Sequence, residues 1–214
     1  RFHSGMAIKE SSDEMNPTVA VGSTAKAGRK ARSAKDYLAL AIATCGVGYL
    51  PLAPGTWGSL VGVGLYLFWQ RVWLRFYFTF GNGDSIFIGY QALWTTLTLL
   101  LLLCVTIVGI WAASRVEKLS GRKDPGIVVI DEVAGQLITL SIIPHFDYTE
   151  WPLFLVGFLL FRAFDIWKPY PIRRLESLES GLGIMADDVL AGIYAAIALS
   201  LGVAIYYWLF YWGK

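Results

Sequence analysis

Hydrophobic positions in this chain gather into long runs, not into one face of each predicted element. Five runs are candidate membrane-spanning helices, at about 57–73, 92–113, 126–143, 152–167 and 189–212. A spanning helix needs about 20 apolar residues, with a range of roughly 17–25. The second and fifth runs meet that comfortably; the others are marginal, and the third carries two acids. A shorter apolar stretch, 37–47, has the size of an interfacial or half-inserted helix. The pattern predicts an all-α, polytopic membrane bundle of five spans plus that short helix.

Basic residues orient the bundle, because cytoplasmic flanks are enriched in Lys and Arg. Lys26, Arg29, Lys30, Arg32 and Lys35 precede the first span. Arg115, Lys118, Arg122 and Lys123 follow the second, and Lys168, Arg173 and Arg174 follow the fourth. The opposite side has only Arg71, Arg75 and Lys214. The N-terminus and the loops 114–125 and 168–186 are therefore expected in the cytoplasm. Tryptophans agree, with Trp57, Trp111 and Trp167 at the inner edge and Trp69, Trp73, Trp94, Trp151, Trp208 and Trp212 at the outer. Gly58 and Gly62 form a GxxxG that permits close helix packing.

Composition supports the membrane reading: 56% of residues are hydrophobic and 16% charged, against about 25% charged in soluble domains. A net charge of +2 gives no field for nucleic acid. Cys45 and Cys104 stand apart in apolar surroundings and read as small buried hydrophobes. Residues 1–34 are polar and lack a signal-peptide core. They read as a vector-derived remnant with a flexible basic tail, leaving 35–214 as the membrane-embedded catalytic domain.

The acids carry the chemistry. In "DPGIVVIDEVAG", Asp131 and Glu132 lie inside an apolar run, about one and a half turns into the third span. Asp165 ends the fourth span, and Asp187 and Asp188 begin the fifth. The predicted topology brings all five to one level at the inner interface, whereas Asp84, Asp147 and Glu150 fall in outer loops. Like charges side by side in poor solvent oppose one another's ionisation. A divalent cation resolves this, and carboxylate oxygens suit Mg²⁺ or Mn²⁺. Asp165 could instead pair with Arg162 or Lys168, and Asp187 or Asp188 could cap a helix. Intramembrane acids gathered from three segments nevertheless point to function.

Two further stretches face that level. In "LPLAPGTWGSL", the prolines and Gly55 make a turn, and Thr56, Gly58 and Ser59 open a helix whose free N–H groups and hydroxyls suit a phosphate. In "FRAFDIWKPYPIRR", Arg162, Lys168, Arg173 and Arg174 could hold lipid phosphates, although the positive-inside rule alone also predicts cations there.

"LPLAPGTWGS", "IVVIDEVAGQ" and "FRAFDIWKPYPIRRLE" with "GLGIMADDVLAGIYA" resemble the phosphatidylglycerophosphatase A family, over about 46–196. The N-terminal tail and 75–92 carry no signature. The resemblance implies an all-helical, Mg²⁺-dependent enzyme of the bacterial inner membrane. It would hydrolyse phosphatidylglycerophosphate to phosphatidylglycerol and phosphate, in the pathway that also leads to cardiolipin. The family's acids map onto Asp131, Glu132, Asp165, Asp187 and Asp188.

The expected mechanism is metal-assisted, with Mg²⁺ held by some of those five acids. Glu132 or Asp188 is the candidate base, with Asp131 beside them. Thr56, Ser59, Arg162, Lys168 and Arg173 would orient phosphate oxygens. His3 and His145 lie far from the acids, so phosphohistidine chemistry has no candidate; a covalent aspartyl or threonyl phosphate stays open, as does a homo-oligomer. Two rivals fit less well. A CDP-lipid transferase would carry DGxxAR…GxxxDxxxD, which is absent. A cation or proton carrier would spread its acids through the membrane depth.

Overall fold

The computed structural model describes residues 32–80, 84–143 and 151–209, with residues 80 and 84–88 described by backbone only. The expectations for residues 1–31, His145, Asp147, Glu150, Trp212 and Lys214 lie outside the described residues. Every described element is a helix: α1 Ala34–Thr44, α2 Pro54–Phe80, α3 Asp84–Ser120, α4 Ile130–Leu140, α5 Trp151–Trp167, α6 Ile172–Leu175 and α7 Ser180–Tyr207. All belong to one unit, Arg32–Lys214.

Two helices are long and apolar enough to cross a membrane, Gly89–Ser120 within α3 and Ser180–Tyr207. Only 22% and 28% of their most apolar windows are buried in the protein. Leu99, Leu100, Leu103 and Ile107 of α3 and Leu201 and Ile205 of α7 are all exposed. A helix apolar all round belongs in a core or a bilayer, and these are not in a core. The protein is membrane-associated.

The third run differs from its expectation. The stretch 126–143 forms a helix only over its 11 residues Ile130–Leu140, about 16 Å at 1.5 Å per residue, roughly half the hydrocarbon thickness. Asp124, Pro125 and Gly126 keep its first residues out of helix, with Asp124 at positive φ. The consequence is that Asp131 and Glu132 stand in the first turn of α4, not one and a half turns in. Acids there meet the positive end of the helix dipole. Conversely, Asp187 and Asp188 do not begin their helix: α7 starts at Ser180, about two turns earlier.

α4 is the buried centre, packed against α2, α5 and α7. Its approach to α2 uses the glycines of the GxxxG. A Cβ at Gly58 would lie 2.9 Å from the Val129 carbonyl, and one at Gly62 would lie 2.8 Å from the Gln136 Cβ. Its approach to α7 is closer still, since a Cβ at Gly192 would run into the Gly135 backbone. The Ile143 carbonyl, three residues beyond α4, is also satisfied, accepting from Tyr66 Oη at 2.6 Å and from Gln70 Nε2 at 3.0 Å. A short helix can end at membrane depth when protein groups complete its backbone bonds.

α1 is capped by Ser33, whose Oγ accepts from Asp36 N while Asp36 Oδ2 accepts from Ser33 N. Asp36 then pairs with Arg115 of α3 at 2.6 Å. The end of α1 reaches the chain before α4, where Val129 N donates to Ala43 O at 2.8 Å.

Candidate active site

Three helices bring carboxylates together. Ligand oxygens of Asp131, Glu132 and Asp188 all lie within 4.8 Å of one another. Asp131 and Asp188 are buried, and Glu132 is half-buried. Asp165 adjoins both Glu132 and Asp188, and Asp187 is the chain neighbour of Asp188, accepting its backbone N–H at 3.0 Å. Of the five acids expected at one level, three form one group, and Asp165 and Asp187 stand next to its Asp188.

They differ in what neutralises them. Asp165 pairs with Arg162 at 2.6 Å, one helical turn away. Asp187 pairs with Lys168 at 2.7 Å. Asp131, Glu132 and Asp188 have no basic partner in ion-pair contact among the described residues. Asp131 Oδ1 and Glu132 Oε2 are buried without a hydrogen-bond partner. Burying ionised groups uncompensated is costly. The chemistry of this donor set fits a hard divalent cation, which takes carboxylate oxygens at about 2.0–2.6 Å.

Glycine makes the room. A Cβ on Gly55 would strike Glu132 Oε1 and lie 3.0 Å from Arg162 Nη1. The first turn of α2 therefore touches the cluster through bare backbone. Ser59, one turn on and fully buried, donates to Gly55 O at 2.9 Å and accepts a long contact of 3.5 Å from Arg162 Nη1. Thr56 is half-buried on the same turn.

Lys168 sits at positive φ just after α5. Its ammonium bridges Asp187 and Glu176, each at 2.7 Å. Burial opposes its charge, but those two carboxylates outweigh burial and hold its pKa above the usual lysine value. Arg173 is exposed on α6 and forms no ion pair among the described residues. The structure therefore brings Thr56, Ser59, Arg162 and Lys168 to the acids or their immediate neighbours and leaves Arg173 on the surface.

Sequence reasoning missed two residues. Glu176 shares Lys168, which no local pattern announced. Gln136 is fully buried on α4 with both amide atoms unpartnered. It stands four positions after Glu132, so helical spacing could have placed it on the same face.

The sequence model of the family described as phosphatidylglycerophosphatase A matches residues 40–203. A Haemophilus influenzae protein named phosphatidylglycerophosphatase A is 39% identical over 165 residues, covering 77% of this chain and 85% of its own. An Escherichia coli protein of the same name is 34% identical over 152 residues, 71% of this chain and 74% of its own. A Bacteroides thetaiotaomicron protein provisionally named a phosphatidylinositol-3-phosphatase is 39% identical over 157 residues, 73% of this chain and 87% of its own. No solved structure matches the chain.

Proposed function

From the premise that the chain belongs to the phosphatidylglycerophosphatase A family, we propose that it hydrolyses phosphatidylglycerophosphate to phosphatidylglycerol and phosphate, in a Mg²⁺-dependent reaction at the cytoplasmic face of a bacterial inner membrane. The chain is a phosphatase by that membership. The observation that supports the metal-dependent reading is the trio Asp131, Glu132 and Asp188, two of them buried and one half-buried, with no ion-pair partner among the described residues.

The residues divide into tasks. Asp131, Glu132 and Asp188 would hold the ion, with Asp165 and Asp187 adjoining. When bound, Mg²⁺ supplies charge neutralisation for the phosphomonoester and acidifies a water. Whichever of Glu132 and Asp188 is not fully committed to the ion takes a proton from the attacking water. Arg162 and Ser59 orient phosphate oxygens, with Thr56 on the same turn. Lys168, held by two carboxylates, fixes Asp187 beside Asp188, and Arg173 meets the headgroup from the surface. Crossings would be carried by α2, α3, α5 and α7, with the 11-residue α4 embedded among them in place of the fifth expected span. Basic flanks support an inner-side position for the acids.

The test is phosphate release from phosphatidylglycerophosphate in detergent micelles, with Mg²⁺ or with EDTA. Release abolished by EDTA and restored by Mg²⁺ is expected. Release indifferent to EDTA keeps the substrate and removes the metal. The Bacteroides relative's name makes phosphatidylinositol 3-phosphate the second substrate to assay. Faster turnover of that lipid would reassign the headgroup.

A further inference from the structure

The residues around Arg162 continue into a surface that the chemistry above leaves unused. At about 100° per residue, Leu155, Leu159 and Arg162 lie on one stripe of α5, and Leu60, Val63 and Leu67 lie on one stripe of α2. Leu155 is 49% exposed, Leu159 56% and Leu60 45%; Val63 and Leu67 are half-buried.

The contacts of each helix place these stripes beside one another. On α5, Gly157 faces Leu140 of α4, and Phe154 meets Tyr66 of α2 with ring centroids 6.3 Å apart. Continuing round in the same sense reaches Arg162, then Leu155 and Leu159. On α2, Gly58 and Gly62 face α4, and Ser59 meets Arg162. Continuing round reaches Val63, then Leu67 and Leu60. Leu155 and Val63, the members of the two stripes nearest the α2–α5 contact, therefore border a groove on its outer side, and Leu159 and Leu60 turn from it toward the bilayer. Its floor is Phe154 on Tyr66, and its head is Arg162 beside the carboxylates.

Arg162 suits that head. Its guanidinium has five N–H donors, of which the structure engages one ion pair and one long contact to Ser59. It remains able to take an anionic oxygen. An anion held at the head of an apolar, lipid-facing groove has the chemistry of a phosphate-bearing lipid.

We propose that the outer groove between α2 and α5 is the acyl-chain site of the substrate lipid, so that the lipid enters laterally from the bilayer and Arg162 marks where its chains end and its phosphate-bearing headgroup begins. This rests on the lipid phosphatase reading and adds to it the route and the residues that recognise the chains. Leu155, Leu159 and Leu60 contact methylenes of the bound lipid, and substitutions there change preference for chain length.

The experiment compares dioleoyl with water-soluble dihexanoyl phosphatidylglycerophosphate. Leu155→Trp obstructs the groove and should raise the ratio of KM for the long-chain over the short-chain lipid by about tenfold, the loss of roughly one tenfold step in affinity. Leu103→Trp, on the exposed face of α3, should leave that ratio unchanged. A ratio that does not move in Leu155→Trp, or moves equally in Leu103→Trp, overturns the proposal. Should wild type release phosphate from neither lipid, the phosphatase reading falls separately. Photolabelling by phosphatidic acid with a photoreactive acyl chain then decides the groove. Label concentrated at 60–67 and 155–159, and displaced by excess unlabelled phosphatidic acid, supports it; label spread over all lipid-facing helices overturns it.

Discussion

The two ends of α2 are built by opposite means. At its first turns, helices come together through what is missing: Gly55, Gly58 and Gly62 let α4 and its acids lie against bare backbone. At its far end, α2 and α3 are joined by bulk. Trp69 stacks on Trp94 at 5.7 Å, Trp73 meets Trp94 at 5.4 Å and Tyr90 at 6.0 Å, and Trp69 Nε1 donates to Thr98 Oγ1 at 3.1 Å. Ring contacts of this kind tolerate small shifts, because each is a broad interaction of about 0.5–1.5 kcal/mol. Backbone contact between glycine-bearing helices does not. The acid end therefore leaves its helices little room to shift, as the proposed metal site would require, while the aromatic end supplies adhesion. The rigidity of the first end should show in activity and that of the second only in stability.

The largest effect should come from the charges themselves. Asp131→Asn should lower phosphate release by at least about 10²–10³-fold, the scale for losing one preorganised electrostatic partner. Its melting temperature in detergent should stay the same or rise, because one of three crowded buried acids is gone. A variant that melts much lower would mean that Asp131 holds the fold. Next comes the packing beneath the acids. Gly192→Leu forces α7 off α4 at Gly135 and should cost about 1–3 kcal/mol or more, with activity lost alongside. Gly64→Leu is the control, since a Cβ there meets nothing within 4 Å, and it should change neither quantity. Thermal melts and phosphate release on the same preparations check both variants.

Much of the inner end was legible in the sequence, because charge in an apolar run announces itself. Of Asp131, Glu132, Asp165, Asp187 and Asp188, all expected together, Asp131, Glu132 and Asp188 form one group, while Asp165 and Asp187 are drawn into ion pairs beside it. Spacing offered Arg162 or Lys168 as a partner for Asp165, and Arg162 is the one engaged. What hydrophobicity could not report was helix length. An apolar run reads the same whether it is helical throughout or, as in 126–143, begins with an irregular turn held by Ala43 O and Gly48. The depth assigned to Asp131 and Glu132 moved for that reason. The start of α7 was misplaced in the same way, since "SGLGIMA" is too weakly apolar to count as membrane yet is helical, packed by Gly181 on Ser114 of α3. The bridge from Lys168 to Glu176 depends on the chain reversal after α5, which no periodicity encodes.

Smaller effects sharpen the contrast. Trp94→Ala removes two ring contacts at the aromatic end and should lower stability by about 1–3 kcal/mol, while the KM for lipid stays at the wild-type value. A raised KM would show that the aromatic end is coupled to the site. Gln136→Leu goes the other way. Its amide is buried and unpartnered, so an apolar replacement of similar size should leave stability equal or higher by about 1 kcal/mol. A drop in stability would reveal a partner, such as a buried water, that the amide holds.

The smallest effect lies outside both ends, at the tie between α1 and α3. The Ser33 backbone N–H, and after it the Arg115 guanidinium, hold the Asp36 carboxyl below the ordinary range for a carboxylate. A carboxyl whose folded value is depressed contributes stability that is fully present above its unfolded value, about 3.9, and that is lost as pH falls through the lower folded value. Wild type should therefore lose a small increment of melting temperature on acidification below about pH 4 that Asp36→Asn does not lose. Arg115→Met should keep most of that increment, because the backbone donor is the larger cause and the Arg115 side chain is 45% exposed and screened by salt. Melts across that pH range at low and high salt separate the two donors. A wild type and an Asp36→Asn variant with parallel profiles would show that α1 is held to α3 by packing of Ala39, Leu40 and Ala43 alone.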